Sequence, residues 1–465
     1  MNQVPSFFIE TLGCKLNQLE SEAITNAFVK NGFKEAVYSE SPSIVIINTC
    51  TVTSKADQKA RRIIRKVLRD YPDSRVIVTG CYAQLDKDEL QKLDDGNPQR
   101  LYIIKKDKVL NFLKNNIFFE NKKPDSPRVL CASVPQCDNK TINQFEFNPE
   151  QFSSHTRSLL KIQDGCDNKC TYCKIRLARG SSVSLDAEEV LSRLRFLEKN
   201  HAEAILVGVN ICQYKDLKNF YPNSNLRFAH ERIKSDLPDL LIYLLSNTEK
   251  INLRLSSLEP ECIDENFAKV ISDKRIRPHF HLSVQSCNEN ILKKMGRSYN
   301  SQIIERAVTL LREVKSKSSC HDPFIACDII TGFAGETENE FKQTYDLCQK
   351  LDFAWIHVFP YSKRPGTPAF FIKENVPQIE VTKRVNLFTN LAEKGKAAYI
   401  QRWLGREVDV IMENKEGYCL GVSENYLKVY VLHNKNLVIK PGELLRCKLI
   451  KEENTKEYDV QAIIV

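Results

Sequence analysis

The sequence predicts an α/β protein in three parts: an N-terminal parallel α/β domain, a central partial barrel of six β/α units, and a small C-terminal β-barrel. Three observations predict it. Fully apolar runs alternate with helical patterns through the first two parts, a polar Pro- and Asn-rich stretch separates them, and after about residue 399 short strands follow one another between Gly, Pro and Asn turns. Apolar strands alternating with helices belong to parallel sheets, both of whose faces must be covered. At roughly 150 residues per domain, 465 residues allow about three domains.

In the first domain, residues 1–120, SFFIET (6–11) is an apolar strand followed by a helical pattern from Asn17 to Lys30. SIVIINT (43–49) is a buried strand that leads through Cys50 to a helix from about Ser54 to Arg69, and RVIVTG (75–80) is a third strand ending at Cys81. Open parallel sheets bind ligands outside the carboxyl ends of their strands. Cys14, Cys50 and Cys81 each stand at that end of their own strand, an arrangement that packing alone explains poorly. Residues 121–151 are rich in Pro, Asn, Gln and Lys and read as a linker. In residues 152–398 the strands are SLLKIQ (158–163), EAILVGV (203–209), INLRLSS (251–257), HFHLSV (279–284), FIACDII (324–330) and AWIHVF (354–359), with helices at 186–199, 301–316 and 337–350 and a polar insertion at 213–235. Six such units make a partial parallel barrel whose active face lies at the strand C-termini. Residues 399–465 hold five short strands, the size of a small barrel.

Composition excludes several classes. The chain is 42% hydrophobic and 27% charged, as in an ordinary globular protein. No apolar run approaches the ~20 residues of a membrane span. The N-terminus lacks the basic region and apolar core of a secretory signal, so a cytoplasmic location is expected. Sixteen cysteines in a reducing compartment point to ligands, nucleophiles or small buried hydrophobes rather than disulfides.

The strongest signal is IQDGCDNKCTYC, with Cys166, Cys170 and Cys173 spaced C-x3-C-x2-C after a strand. Three clustered thiolates suit an iron–sulfur cluster. A structural zinc site requires a fourth ligand, whereas three ligands leave one iron of a four-iron cluster open. This spacing, with Tyr172 before the last cysteine, is the radical S-adenosylmethionine signature. A rival of another class is a zinc-stabilised RNA-binding protein without catalysis.

TLGCKLNQLESE (11–22), INTCTVTSKADQKARRIIR (47–65), VTGCYAQ (78–84), HTRSLLKIQDGCDNKCTYC (155–173), ILVGVNI (205–211), RLSSLEP (254–260) and FPYSKRPGTPA (359–369) span nearly the whole chain. They resemble the radical S-adenosylmethionine methylthiotransferase family, most closely the branch acting on tRNA N6-threonylcarbamoyladenosine. The resemblance implies an auxiliary-cluster domain, a radical barrel and a TRAM-like RNA-binding module. It implies two [4Fe–4S] clusters, one on Cys166, Cys170 and Cys173 and an auxiliary one on Cys14, Cys50 and Cys81. It implies S-adenosylmethionine, a tRNA substrate and a flavodoxin- or ferredoxin-like electron donor. One S-adenosylmethionine would methylate a sulfur of the auxiliary cluster; a second would yield the radical that takes hydrogen from C2 of the adenine, where the methylthio group enters. Sister activities act on N6-isopentenyladenosine in tRNA or on a ribosomal-protein aspartate. Gly332 and Gly335 in DIITGFAGE would let backbone approach the adenine of S-adenosylmethionine, and Ser257, Glu259 and Gln285 are candidate contacts at strand ends, as is Tyr172. The sequence departs from the family pattern at Arg176 and Leu177, at Cys287 and Asn288, and at Ala334.

Of the other ten cysteines, most read as packing residues. Cys131 and Cys137 fall in the linker. The net charge of +9 is compatible with RNA. Seven Lys/Arg stand against Asp57 in residues 55–69, and residues 155–180 add Arg157, Lys161, Lys169, Lys174, Arg176 and Arg179, whereas 400–465 balances ten basic with ten acidic residues. The basic excess is therefore expected beside the cysteine loops, not in the C-terminal module.

Overall fold

The computed structural model describes residues 4–94, 100–118, 145, 157–216, 236–318, 321–413, 419–432, 438–453, 455 and 457–465. The chain divides into two compact units, Met1–Ser153 with Cys173–Ser181, and Ser154–Tyr172 with Ser182–Val465. The expected linker, apart from Phe145, and residues 217–235 of the expected insertion lie outside the described residues, as do Cys131, Cys137 and Cys320.

In the first unit the elements run β1 (Ser6–Thr11), α1 (Lys15–Lys30), β2 (Lys34–Glu35), β3 (Ile44–Thr49), α2 (Ser54–Asp70), β4 (Arg75–Gly80), α3 (Cys81–Leu85), α4 (Lys87–Gln91), β5 (Leu101–Ile103) and α5 (Val109–Leu113). The sheet is parallel throughout, in the order β2-β1-β3-β4-β5. Every residue of β3 is buried, as a central parallel strand requires. β2 and β5 went unread in the sequence because two and three residues are too few to show a pattern. Helix α2 starts where the Thr53 hydroxyl accepts the Ala56 N–H at 3.1 Å. It buries Asp57, Ala60, Ile64, Val67 and Leu68, one stripe at helical spacing.

The second unit begins with β6 (Ser158–Lys161) and β7 (Gln163–Asp164); α6 (Ile175–Arg179) groups with the first unit. Then follow β8 (Val183–Ser184), α7 (Ala187–Glu198), β9 (Glu203–Val207), α8 (Leu237–Ser246), β10 (Asn252–Leu255), α9 (Glu265–Ile271), β11 (His279–Gln285), α10 (Glu289–Met295), α11 (Ser301–Ser318), β12 (Phe324–Thr331), α12 (Glu338–Lys350), β13 (Trp355–Pro360) and α13 (Gln378–Trp403). Two three-stranded parallel sheets, β6-β9-β10 and β11-β12-β13, continue into one another through a parallel bridge between Leu258 and Leu282. Six parallel strands thus run in sequence order, and the expected partial barrel is present. After α13 come β14 (Glu407–Met412), β15 (Leu420–Ser423), β16 (Lys428–Leu432), β17 (Leu444–Glu452) and β18 (Val460–Ile464). They close into a barrel in the order β14-β15-β16-β18-β17, which leaves no open edge.

A buried ionic group ties this small barrel to the floor of the larger one. Glu203 on β9 accepts from Arg254 on β10 at 2.7 and 2.9 Å and from Arg277 at 3.1 Å. Arg254 donates onward to the carbonyl of Ser423 at 3.2 Å, and Arg277 to the Asp409 carboxylate at 3.1 Å. Burial opposes the Glu203 charge, yet the two guanidinium groups outweigh it and lower its pKa. The stability contributed by Glu203 is therefore present above the ordinary carboxylate pKa and lost as pH falls through the depressed one. Glu203→Gln should cost about 3–5 kcal/mol at pH 7, because two buried guanidinium groups lose their counter-charge, and the penalty should shrink in acid. Urea unfolding midpoints at pH 7 and at acid pH check both statements.

Candidate metal centres

The first centre sits at the carboxyl edge of the N-terminal sheet. Cys14 precedes α1, Cys50 follows β3, and Cys81 opens α3 after β4. Gly13 has φ +110°, and a Cβ there would lie 2.7 Å from the Cys50 Cβ, so only glycine lets the first loop approach the second. Gly80 has φ +95°, and a Cβ would lie 2.3 Å from the Thr49 carbonyl. Asn17 laces the loops together, its Nδ2 donating to the carbonyls of Leu12 at 2.7 Å and Thr49 at 3.0 Å. Its Oδ1 accepts from Arg179 Nη2 at 3.0 Å, and Arg179 also pairs with buried Glu20 at 3.2 Å. Lys106 pairs with Glu20 as well.

Burial pushes the Cys50 thiol up to about 11; the Cys14 and Cys81 thiols raise it further, while the Val52 N–H and the Arg179 charge oppose the rise. These three thiols share one electrostatic neighbourhood. Among the described residues, no three His, Cys, Asp or Glu side chains are gathered closely enough to hold a single metal ion. A donor set of thiols alone on separate loops, with a cation at its wall, fits an anionic thiolate-ligated cluster.

The second centre is the loop carrying Cys166, Cys170 and Cys173, between β7 and α6. The loops that follow the barrel strands hold it. Asn168 donates to Glu259 Oε1 at 2.6 Å, and its Oδ1 accepts from Gln213 at 2.7 Å. The Asp167 N–H reaches Gln213 Oε1 at 2.9 Å, and the Thr171 N–H reaches the Met295 carbonyl at 2.9 Å. Gly296, at φ +74°, lets that turn pass, since a Cβ would lie 2.9 Å from the Lys169 carbonyl. Burial raises the Cys170 thiol, opposed by the Arg297 charge, and also raises Cys166, opposed by the Asn168 N–H.

Glu259 lies among three donors: Asn168, Asn210 at 2.8 Å and Arg297 at 2.6 Å. Arg297 bonds the Tyr172 hydroxyl at 2.8 Å. Burial works against the Arg297 charge, but Tyr172, Tyr299, Cys170 and Glu259 outweigh it and push its pKa up. Glu259 and Tyr172 are thus bridged by a permanently charged guanidinium beside Cys170. Tyr172 meets Phe333 edge-on at 6.3 Å, which places it beside the turn of Gly332 and Gly335. Gly332 has φ +74°, with Val381 2.5 Å from a would-be Cβ, and Gly335 has φ +73°. Gln285 is held at φ +65° beside a register shift at the end of β11, a backbone strain of the kind found at working sites. Ser257 stands apart from Glu259 and bonds His281 at 3.1 Å.

Sequence reading missed Asn17, Glu20 and Arg297 as parts of these centres, and it saw Arg179 only as surface charge. Their partners lie up to 162 positions away, so no local pattern marks them. The expected basic surface at 155–180 also needs correction. Lys161 pairs with Asp164, Lys174 with Asp86, Arg157 with Glu413 and Arg179 with Glu20. On α2 the expectation holds, since Lys55, Lys59, Arg62 and Arg65 are exposed and no described carboxylate pairs with them. Asn288, one of the departures, caps α10 by accepting the Ile291 N–H at 3.0 Å. The neighbouring Cys287 is buried 3.8 Å from Cys348, as a packing cysteine would be.

A six-stranded partial barrel with a three-cysteine loop at its strand ends defines the radical S-adenosylmethionine class. Residues 160–348 match the Radical SAM superfamily, and residues 6–98 match the uncharacterized protein family UPF0004. The chain is 36% identical to the threonylcarbamoyladenosine tRNA methylthiotransferase MtaB of Treponema pallidum, over 96% of this chain and 98% of that protein. It is 30% identical to the MtaB of Thermotoga maritima over 96% and 95%, and 28% identical to the tRNA-2-methylthio-N(6)-dimethylallyladenosine synthase of Desulfotalea psychrophila over 95% of each. The chain belongs to the MtaB family of radical S-adenosylmethionine methylthiotransferases, enzymes that work with a [4Fe–4S] cluster and S-adenosylmethionine. In metal-free protein, Cys50 should alkylate slowly at neutral pH, at a rate rising about tenfold per pH unit toward a midpoint at about 11. Isotope-coded alkylation with peptide mass spectrometry checks this; an ordinary thiol profile, with a midpoint at ~8.5, contradicts it.

Proposed function

We propose that the protein adds a methylthio group to C2 of N6-threonylcarbamoyladenosine beside the anticodon of tRNA, in the cytoplasm, with electrons from a flavodoxin- or ferredoxin-like donor. The observation that carries the reading is end-to-end similarity to proteins of that name, at 36% and 30% identity against 28% for the dimethylallyladenosine relative. Cys166, Cys170 and Cys173 would hold the radical-generating cluster, and Cys14, Cys50 and Cys81 an auxiliary one. When bound, these groups and S-adenosylmethionine supply a carbon radical able to remove an aromatic hydrogen, and a sulfur to replace it.

The chain's own residues place and shield that chemistry. Glu259, through Asn168 and Arg297, fixes the cysteine loop against the strand ends. Arg297 holds positive charge next to Cys170, where the cluster adds negative charge. The turn of Gly332 and Gly335 would lie along the adenine of S-adenosylmethionine, although the missing Gly332 Cβ makes room for Val381 and not for the ligand, with Tyr172 against that turn and Gln285 and Ser257 at neighbouring strand ends. At the other centre, Arg179 offsets thiolate charge, and Gly13 and Gly80 let the three loops close. The exposed bases of α2 supply the phosphate contacts a folded RNA needs.

The anaerobically reconstituted protein should carry about eight irons. Cys14→Ala and Gly13→Ala should each lower this to about four, and Cys170→Ala should do the same from the other centre; iron near four in wild type would remove the second cluster. Nucleoside mass spectrometry of tRNA from cells lacking the gene should show threonylcarbamoyladenosine without its methylthio group. Unchanged nucleosides reject the tRNA reading.

A further inference from the structure

Directly after FPYSKRPGTPA (359–369) the chain reads Phe370-Phe371. The pair closes a single 3-10 turn, Pro368–Phe371, that is fixed on both sides. Ahead of the pair, the Ala369 N–H donates at 2.8 Å to the carbonyl of Thr171, which stands between Cys170 and Tyr172. Ala369 is also buried with Phe333, Ile291 and Met295, a cluster against which Tyr172 and Ile372 pack. Behind the pair, the Ile372 carbonyl accepts from Lys363 Nζ at 3.0 Å. The Glu374 Cβ lies 3.6 Å from where a Cβ of Gly335 would stand. The segment therefore rests on the cysteine loop and on the turn of Gly332 and Gly335 at once.

This anchored turn leaves a large ring in water. Phe371 is 76% exposed. It meets Phe370 edge-on at 5.5 Å, and Lys363 Nζ stands 5.6 Å from the centre of the Phe370 ring. Single exposed apolar residues are common on protein surfaces and need no explanation, but this one differs in place and in stiffness. Two residues of chain span at most ~7 Å, so Phe371 lies close to the loop that carries Cys170. Its flanks are pinned, so the ring cannot turn inward without breaking the bonds of Ala369 and Ile372. Nearby, Lys373 is exposed, and no described carboxylate pairs with it. A flat apolar face beside free positive charge is the combination that holds single-stranded nucleic acid, the face by stacking on a base and the cation by meeting a phosphate.

We infer that Phe371 is a stacking platform for an unpaired base next to the target adenosine in the tRNA anticodon loop, with Lys373 on an adjoining phosphate. The inference rests on the function proposed above and adds how that substrate is held. The target base has to reach the strand ends, where the cysteine loop lies, and its neighbours in the RNA loop are then carried to this turn. Stacking uses a π-face that every base has, so Phe371 positions the loop and leaves the choice of modified nucleoside to other residues.

The test uses full-length, anaerobically reconstituted protein and a fluorescein-labelled anticodon stem–loop bearing threonylcarbamoyladenosine, with binding read by anisotropy. At wild-type iron content, Phe371→Ala should raise Kd by about five- to a hundredfold, the usual loss for one stacked base, with the salt dependence of binding unchanged. Phe371→Trp should bind like wild type, and Phe371→Leu, apolar but without a flat face, should bind nearly as weakly as Phe371→Ala. Lys373→Ala should instead lower the slope of log Kd against log salt by about 0.7–0.9. With 5-iodouridine at either neighbour of the target, ultraviolet crosslinking and peptide mass spectrometry should place the crosslink of wild-type protein on Phe371. Wild-type affinity in Phe371→Ala or Phe371→Leu, or crosslinks confined to other peptides, overturns this inference alone. Wild-type protein that binds the stem–loop no more tightly than an RNA duplex of equal length overturns the tRNA reading with it.

Discussion

A parallel sheet delivers every one of its βα loops to the same edge, and both candidate centres depend on that constraint. Strands of an antiparallel sheet would send alternate loops to opposite ends, and one thiol per loop could then never converge. In the first unit, β1, β3 and β4 lie side by side, so Cys14, Cys50 and Cys81 share an edge although 36 and 31 positions separate them. In the second unit the same rule brings Gln213 after β9, Glu259 after β10 and Met295 beyond β11 to the loop that carries Cys166 and Cys170.

Charge compensation is the second theme. Each candidate centre carries a buried guanidinium, Arg179 in one and Arg297 in the other, which would offset the negative charge of a thiolate-bound cluster. Each is held in place by carboxylate or tyrosine partners. The Glu203, Arg254 and Arg277 group at the opposite, amino-terminal end of the barrel strands uses the same device for a structural purpose. Buried arginines therefore mark both ends of the barrel, and only their partners distinguish chemistry from architecture.

Both cysteine triads stood out in the sequence as candidates, one from spacing and one from strand-end position, and the fold brings the loops of Cys14, Cys50 and Cys81 to one sheet edge. The five-stranded C-terminal barrel and the six barrel strands were legible because short-range pattern determines both. The strands β2 and β5 were not, being shorter than any periodicity. The basic surface was read only in part. On α2 the helical stripe separates buried from exposed residues, so its bases are seen to face solvent. In residues 155–180 the bases meet carboxylates such as Glu20, Asp86 and Glu413, whose approach no local pattern foretells.

By itself, the sequence determined the α/β architecture, the six candidate cluster cysteines and the family, since each rests on contiguous motifs or on strand and helix periods of a few residues. Tertiary structure decided which charges are consumed internally, which glycines are required by close approach, and which polar residues from separate strands meet. Gly13 and Gly80 show the difference: in the sequence they are turn residues, whereas in the fold a single added carbon would collide with a neighbouring loop. His281, Asp328 and His357 look like ordinary strand residues one by one. Asp328 and His357 stand in register on neighbouring strands, whereas His281 lies opposite Ala326 and reaches Asp328 through its side chain at 2.9 Å, a meeting that no one strand shows by itself.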